Sequence, residues 1–206
     1  MVSSNNDFFE WCKNNCPTAH VEEASTERGD YERKSGNFLC SEDTHQIRQV
    51  RFGILREHQK KILEEVNDQN DREIDVYLDR RGGTGKTFFT LHLWERGLAC
   101  VVPRAYSTAS RMSAYLCSHY KGEKYIIVDI PRSGKITNEL YESLEEIKDG
   151  LVFDERYHGT SRNIRGAIVI VFTNKPFKLD RLSADRWRLH GMSEGAFAPS
   201  EDTGEK

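Results

Sequence analysis

A glycine-rich segment that ends in lysine and threonine is the part of the sequence best suited to chemistry. It lies between an apolar stretch and a helical pattern and reads Gly82, Gly83, Thr84, Gly85, Lys86, Thr87. Glycines let a loop curl so that its backbone N–H groups point inward at a phosphate. Lys86 can then reach the β- and γ-phosphates, and the Thr87 hydroxyl can bind Mg²⁺. The segment predicts a phosphate-binding loop for ATP, although Arg80 stands where the full pattern has its first glycine.

A carboxylate and an amide accompany two further apolar stretches. Asp129 comes near the end of residues 125–130, and Asn174 directly follows residues 168–173. Parallel strands place such residues at the carboxyl edge of a sheet, where ligands of open α/β proteins bind. We therefore expect Asp129 to bind Mg²⁺ together with Thr87, and Asn174 to orient the attacking water or to contact the γ-phosphate.

The sequence offers more than one candidate for the catalytic base. Many ATPases carry a second acid directly after the metal-binding aspartate, and that position is Ile130 here. Glu139 and Asp154 are acids that folding could bring to the site, and the sequence leaves this choice open.

Hydrophobic periodicity predicts the elements that would hold these residues. Helices are expected over residues 55–66, 86–96, 107–120 and 137–148, and strands over residues 74–78, 98–102, 125–130, 151–153 and 167–172. The first 50 residues are polar and broken by Pro17, Gly29 and Gly36, and only residues 19–22 suggest a short strand. Strands that alternate with helices indicate an α/β domain with a mainly parallel sheet.

Composition and charge narrow the classes of partner. The longest apolar run in the 206 residues, Ala167–Phe172, is far shorter than the roughly 18 residues of a membrane span, so no membrane partner is expected. The net charge is −3, yet residues 155–190 hold eight Lys or Arg against three acids. This basic block indicates contact with nucleic acid, or else a solvated basic face. The five scattered cysteines are interpreted as reduced thiols, and no zinc site is expected.

Four motifs occur in a fixed order: GGTGKT, YIIVDIPRS, IVIVFTNKP and LSADRW, the last spanning residues 182–187. Together they resemble the superfamily 3 helicase domain of the replication-associated (Rep) proteins of small circular single-stranded DNA viruses. The VDIPRS form is most similar to the smacovirus, nanovirus and alphasatellite group, and the resemblance covers about residues 48–190. It implies an AAA+-like P-loop NTPase fold and an ATP-driven, hexamer-forming 3′–5′ DNA helicase of rolling-circle replication.

The resemblance also implies roles for individual residues. The arginine finger falls on Arg186, with Arg181 and Arg188 as alternatives. Residues 149–165 resemble a hairpin that touches the DNA strand. Its stacking and phosphate-pairing candidates are Tyr157, His158, Arg162 and Arg165. The alternative is a solvated polar hairpin. For a virus of a eukaryotic host the resemblance implies action in the host nucleus, and otherwise a soluble intracellular protein.

Further upstream, the sequence resembles the end of the Rep rolling-circle endonuclease, whose Tyr-x-x-Lys motif supplies a nucleophilic tyrosine. Tyr31 and Lys34 match that motif, but the two metal-binding motifs that should precede it are not found. His20-Val21-Glu22 mimics one of them and is interpreted as a strand instead. We expect an N-terminally truncated Rep in which Tyr31 is a remnant. Its parts would be an endonuclease remnant over 1–47, the helicase domain over 48–190 and an acidic, disordered tail over 191–206.

Two functions of other classes fit the same phosphate-binding loop. One is a P-loop protein without helicase activity, such as a small kinase or an ATPase switch; a kinase would need an arginine-rich lid, and no separate lid segment is evident. The other is an inactive remnant that binds nucleotide or nucleic acid. A closely similar helicase domain also occurs in RNA viruses, so RNA stands as an alternative substrate.

Overall fold

A computed structural model describes residues 6–21, 36–40, 42–104, 109–156 and 159–192. Six α-helices, α1 to α6, span Asn6–Asn15, His45–Phe52, Glu57–Val66, Lys86–Glu95, Ala109–His119 and Asn138–Asp149. Seven strands, β1 to β7, span Ile74–Leu78, Ala99–Val102, Tyr125–Ile130, Leu151–Asp154, Thr160–Asn163, Ile168–Thr173 and Trp187–Gly191. Two short 3-10 turns, Leu179–Arg181 and Ala184–Arg186, lead into β7. Within these ranges no helix is both long and apolar enough to cross a bilayer.

Five of the strands form one parallel sheet in the order β2-β3-β6-β1-β7. The chain leaves β1 toward β2 on one side, and β7 later pairs with β1 on the other side, so the strand order reverses at β1. Leu78 and Ile130 are both in register with Thr173, so β1, β3 and β6 end in the same row. The predicted α/β class with a parallel sheet is therefore confirmed.

Helices cover both faces of this sheet. On one face, α3 and α4 pack against Tyr77, Ile127 and Phe172; on the other, α5 and α6 pack against Val76, Val128 and Val171. Neighbouring residues of a strand therefore belong to different cores, as the alternation of side chains in a strand requires. All five residues of β1 are buried, which places this strand in the centre of the molecule.

The strand expected at residues 151–153 does not join the main sheet. It forms β4, which pairs with β5 in a separate antiparallel hairpin. The hairpin rests on α5, because the Ser113 hydroxyl accepts from the Phe153 N–H at 3.0 Å and the Cys117 thiol donates to the Thr160 carbonyl at 3.2 Å. Val152 is fully buried beneath it, whereas Leu151 and Phe153 stay exposed on the opposite face.

The segment before α3 differs most from the expectation. The prediction of a short strand at residues 19–22 is wrong for its described part, which ends at Val21. The Ala19 N–H instead donates to the Cys16 carbonyl at 2.9 Å, in a turn after α1. The helix α2 was not predicted. Its buried Arg51 donates to the Phe38 carbonyl at 3.3 Å and pairs with Asp43 and with Glu95 of α4. The boundary expected at residue 47 thus falls inside a segment that packs on α4.

Candidate functional site

The glycine-rich loop lies at the carboxyl end of β1 and leads directly into α4, which begins at Lys86. Gly82, Gly83 and Gly85 have φ values of +82°, +75° and +83°, a conformation that L side chains rarely adopt. The helix α3 supports the loop from outside: the Gln59 amide donates to the Gly85 carbonyl at 3.0 Å, and His58 Nε2 lies 2.8 Å from the Thr84 carbonyl. The glycines are therefore required by the backbone, as the motif predicts.

Asp79, the first residue after β1, is the centre of the loop. Its side chain is fully buried and accepts three bonds, from the Gly82 N–H at 2.7 Å, the Thr84 hydroxyl at 2.7 Å and the Lys86 ammonium at 2.5 Å. Burial alone would raise the pKa of this carboxyl, but the bonds from Lys86, Thr84 and Gly82 outweigh it and hold the pKa below its usual value. A charged carboxylate thus occupies the inside of the loop.

Two neighbouring loops are bonded to this one. Asn174 donates its amide N–H to the Asp79 carbonyl, so the residue expected at the sheet edge does reach the glycine-rich loop. Arg132, in the loop after β3, donates to the carbonyls of Arg80 and Arg81 at 3.2 and 2.9 Å. Lys175 then donates to the Gly134 carbonyl at 2.9 Å. The loops after β1, β3 and β6 therefore form one connected rim.

Asp129 lies on the same side of the sheet as α4. Alternate residues of a strand share a face, and Tyr125 and Ile127 of β3 belong to the core under α3 and α4. Its carboxylate pairs with Arg104, which follows β2. Thr87 is exposed in the first turn of α4. Among the described residues there is no cluster of three or more His, Cys, Asp or Glu that could hold a metal. One carboxylate and one hydroxyl nevertheless suit Mg²⁺, which in nucleotide sites takes its other ligands from water and phosphates.

The three positions weighed for the catalytic base lie on different elements: Ile130 in β3, Asp154 in β4 and Glu139 in α6. Ile130 is 6% exposed and packs in the core under α5 and α6, so this position faces away from α4. Asp154 lies on the hairpin, where a bond from Arg156 lowers the pKa of its carboxyl to about 2. Glu139 is exposed in the first turn of α6, and a bond from Thr137 lowers its pKa. The hydrogen bonds of Asp154 and Glu139 thus involve residues of the hairpin, of α5 and of the start of α6.

The three arginines considered for the finger differ in exposure. Arg186 is only 4% exposed, and its guanidinium pairs with Asp149 at 2.8 Å and Glu145 at 3.1 Å within its own chain. Arg188 pairs with Asp75 at 3.4 Å. Arg181 is exposed. The guanidinium of Arg186 is thus enclosed by its own chain, whereas Arg181 is the exposed arginine of the three.

The expected DNA-contacting residues are only partly described. Arg162 shares the inner hairpin face with Val152, and its guanidinium donates to the Cys117 carbonyl at 3.2 Å and to the Tyr120 carbonyl. It therefore caps the end of α5. Arg165 is 66% exposed and pairs with Asp71 at 2.9 Å. Tyr157 and His158 lie outside the described residues, as do Tyr31 and Lys34.

Sequence reasoning missed Asp79, Arg132 and Arg104. A signal existed for the first, because Asp79 directly follows a buried strand and opens the loop. Arg132 lies inside the quoted YIIVDIPRS motif, yet nothing in the spacing shows that it reaches back to the carbonyls of another loop. No local sequence pattern indicates that Arg104 pairs with Asp129.

Comparison with known proteins gives no family assignment: no protein-family model matches the chain, and no curated protein matches it in sequence. The fold and the site define the class at a coarser level. The chain is an α/β protein with a five-stranded parallel sheet, and its glycine-rich loop lies where the strand order reverses. Proteins of this architecture bind ligands at that position.

Proposed function

We propose that the chain binds and hydrolyses ATP through the loop from Asp79 to Thr87. The observation that carries this proposal is the position of Lys86: its ammonium lies at the carboxyl edge of the sheet, at the start of α4, among inward-facing loop donors. A phosphate at this position would meet backbone N–H groups, a lysine and the positive end of a helix. These are the groups that stabilise negative charge during phosphoryl transfer.

The rim residues have separate roles in the proposal. Lys86 binds the β- and γ-phosphates, and Thr87 and Asp129 would hold Mg²⁺ after Asp129 leaves Arg104. Bound Mg²⁺ supplies charge neutralisation at the phosphates. Asn174 is joined to the loop through the Asp79 carbonyl, a position from which its amide can orient a water at the γ-phosphate.

We further propose that the ATPase is the helicase part of a Rep-like protein that acts on single-stranded DNA as a ring, by sequence resemblance a hexamer. The order of the four motifs supports this proposal, as do the parallel sheet, the hairpin inserted between β3 and β6 and the basic block at residues 155–190. Arg181 takes the role of the finger, because it is exposed and follows Asn174 by seven positions.

A nucleotide-binding protein without helicase activity is the second candidate. Two observations favour it: Ile130 occupies the position of the usual second acid, and Arg186 is buried in its own chain. Such a protein would bind ATP with little hydrolysis and would not unwind a duplex.

ATP hydrolysis by the purified chain, measured with and without a single-stranded oligonucleotide, tests the proposal. We expect turnover that the oligonucleotide stimulates, and a shift to a larger particle in size-exclusion chromatography with ATP. Lys86→Ala should lower turnover by about 10²-fold or more, because the negative charge on the transferred phosphoryl group loses the lysine ammonium that stabilises it. Lys121→Ala, which changes an exposed lysine before β3, is the matched control and should leave turnover unchanged.

Two results would contradict parts of the proposal. Equal turnover in wild type and Lys86→Ala would exclude the loop as the ATP site. ATP binding without hydrolysis and without duplex unwinding would favour the second candidate.

A further inference from the structure

The inside of the glycine-rich loop already holds an anion that belongs to the chain. The Asp79 side chain is 0% exposed, and its two oxygens accept hydrogen bonds from the Gly82 N–H, the Thr84 hydroxyl and the Lys86 ammonium. Its backbone is also fixed, because the Asp79 N–H donates to the Thr173 carbonyl at 2.8 Å and Asn174 bonds to its carbonyl. The carboxylate is therefore held in place from both sides.

The three donors on Asp79 are of the kinds that a phosphate would use. Loop N–H groups and a lysine ammonium bind phosphate oxygens in glycine-rich loops, and a hydroxyl is a further donor that a phosphate oxygen can accept from. The Lys86 side chain is itself only 12% exposed, so solvent compensates little for a lost partner. A phosphate that took over these donors would lie against the Asp79 carboxylate, so two negative charges would share one site and each would weaken the binding of the other to Lys86.

We propose that Asp79 is an internal competitor of the nucleotide phosphates: it holds the empty loop in its bound shape and releases Lys86 when a polyphosphate binds. This inference rests on the proposed nucleotide binding, and it adds Asp79 as a residue that sets the affinity of the loop for the nucleotide phosphates. The Asp79 carboxylate carries a single negative charge, so an anion of low charge displaces it from Lys86 less readily than a polyphosphate of higher charge does. The loop would therefore bind polyphosphates in preference to inorganic phosphate.

Removal of the Asp79 charge tests the proposal. Asp79→Asn keeps the shape of the side chain but removes the charge that holds Lys86. We expect this variant to bind both ATP and inorganic pyrophosphate about tenfold more tightly than wild type, measured by isothermal titration calorimetry. We also expect the melting temperature of the ligand-free variant to fall, because Lys86 loses its partner.

The matched control is Glu57→Gln. Glu57 is 89% exposed and begins the helix that supports the loop, so the variant removes a nearby negative charge without touching the loop donors. An equal gain in affinity for Glu57→Gln would show a general effect of charge and would overturn the proposal. Asp79→Ser, which keeps a small acceptor for the Gly82 N–H, replaces Asp79→Asn if circular dichroism shows that the latter does not fold.

Failure of this inference differs from failure of the proposed function. If wild type binds ATP and pyrophosphate but the neutral Asp79 variants bind them equally or more weakly, Asp79 only organises the loop and the competitor role is overturned. If neither wild type nor the variants bind either probe, nucleotide binding itself is overturned, and this inference with it.

Discussion

Arg186 is an arginine whose charge is enclosed by its own chain. One nitrogen, Nη2, makes both ion pairs, with Asp149 and Glu145, while Nε and Nη1 are buried without a hydrogen-bond partner among the described residues. A buried guanidinium that lost these pairs would leave a desolvated charge. Its geometry therefore ties the turn before β7 to the end of α6, which is a structural role.

The pair Arg186→Ala and Arg181→Ala separates structural from catalytic arginines. Arg186→Ala should lower the free energy of unfolding by about 1–3 kcal/mol, because packing and ion pairs are lost. Arg181→Ala should change it by less than about 0.5 kcal/mol, since the side chain is exposed. If Arg181 is the finger, its variant should lose ATP turnover on the order of 10³-fold with little change in ATP affinity.

Urea denaturation and ATPase assays measure both effects. Mixtures of Arg181→Ala and wild-type subunits should show that the defect acts across the subunit interface. The opposite pattern, in which Arg186→Ala stays stable and loses turnover, would restore Arg186 as the finger.

Residues of the site were predictable where a local pattern encodes them. The position of Lys86 follows from its motif because it ends the loop between a strand and a helix, and the position of Asn174 follows because it comes directly after an apolar strand. The partners of these residues were not predictable. The bond from Arg132 to Arg80 and Arg81, and the pairing of Asp129 with Arg104, depend on which strands are neighbours in the sheet.

At the scale of elements, apolar burial explains what the sequence predicted well. The strands β1, β3 and β6 are covered on both faces, so their sequences are nearly continuous apolar runs. The helix α2 and the strand β7 were missed because polar side chains, and not apolar ones alone, face the protein interior there. Arg51 in α2 and Arg188 and His190 in β7 are held by carboxylates, and a hydrophobicity pattern cannot detect this kind of burial.

The hairpin region makes different predictions for Arg162, which lies in β5, and for Arg165, which follows β5. Arg165 is exposed, and an exposed ion pair such as Arg165–Asp71 contributes little stability, so its guanidinium is available to a phosphate. If the hairpin binds single-stranded DNA, Arg165→Ala should reduce the log–log salt slope by about 0.7, the value for one phosphate contact. Arg162→Ala should instead reduce stability, because Arg162 caps the end of α5.

Fluorescence anisotropy with a labelled oligonucleotide at several salt concentrations measures that slope. Asp71→Ala is the matched control: it frees Arg165 and should leave the slope unchanged or raise it. A slope that changes in Arg162→Ala but not in Arg165→Ala would place the DNA on the other side of the hairpin.

The two edges of the sheet differ at the scale of the whole molecule. The carboxyl edge holds the loops of the proposed site, and the amino end of β1 holds a buried polar network. Asp75, 0% exposed, bonds to Gln69 at 2.6 Å and to His190 at 2.6 Å, and Gln69 in turn accepts from Lys148 at 2.5 Å. This network joins β1, β7 and α6, so it fixes the edge strand that the sequence did not predict.

Lys148 makes the stability of this network depend on pH. Burial lowers the pKa of its ammonium from 10.5 to about 8, although Asp75, Asp71 and Glu73 act in the opposite direction and Arg186 adds to the lowering. Below pH 8 the lysine is charged in both the folded and the unfolded chain, and the cost of burying the charge is fully present. Between pH 8 and 10.5 the unfolded chain binds more protons than the folded chain, so stability must rise with pH in this window.

Lys148→Met removes that titration and keeps a side chain of similar length. We expect the free energy of unfolding of wild type, relative to this variant, to increase from pH 8 to pH 10, with a slope of at most about 1.4 kcal/mol per pH unit, the limit for one proton. Urea denaturation at matched ionic strength measures the difference, and Lys121→Met, which changes an exposed lysine, should show no such trend. A difference that stays flat or falls over this range would mean that Lys148 keeps its proton in the folded chain, and that its bond to Gln69 compensates for burial.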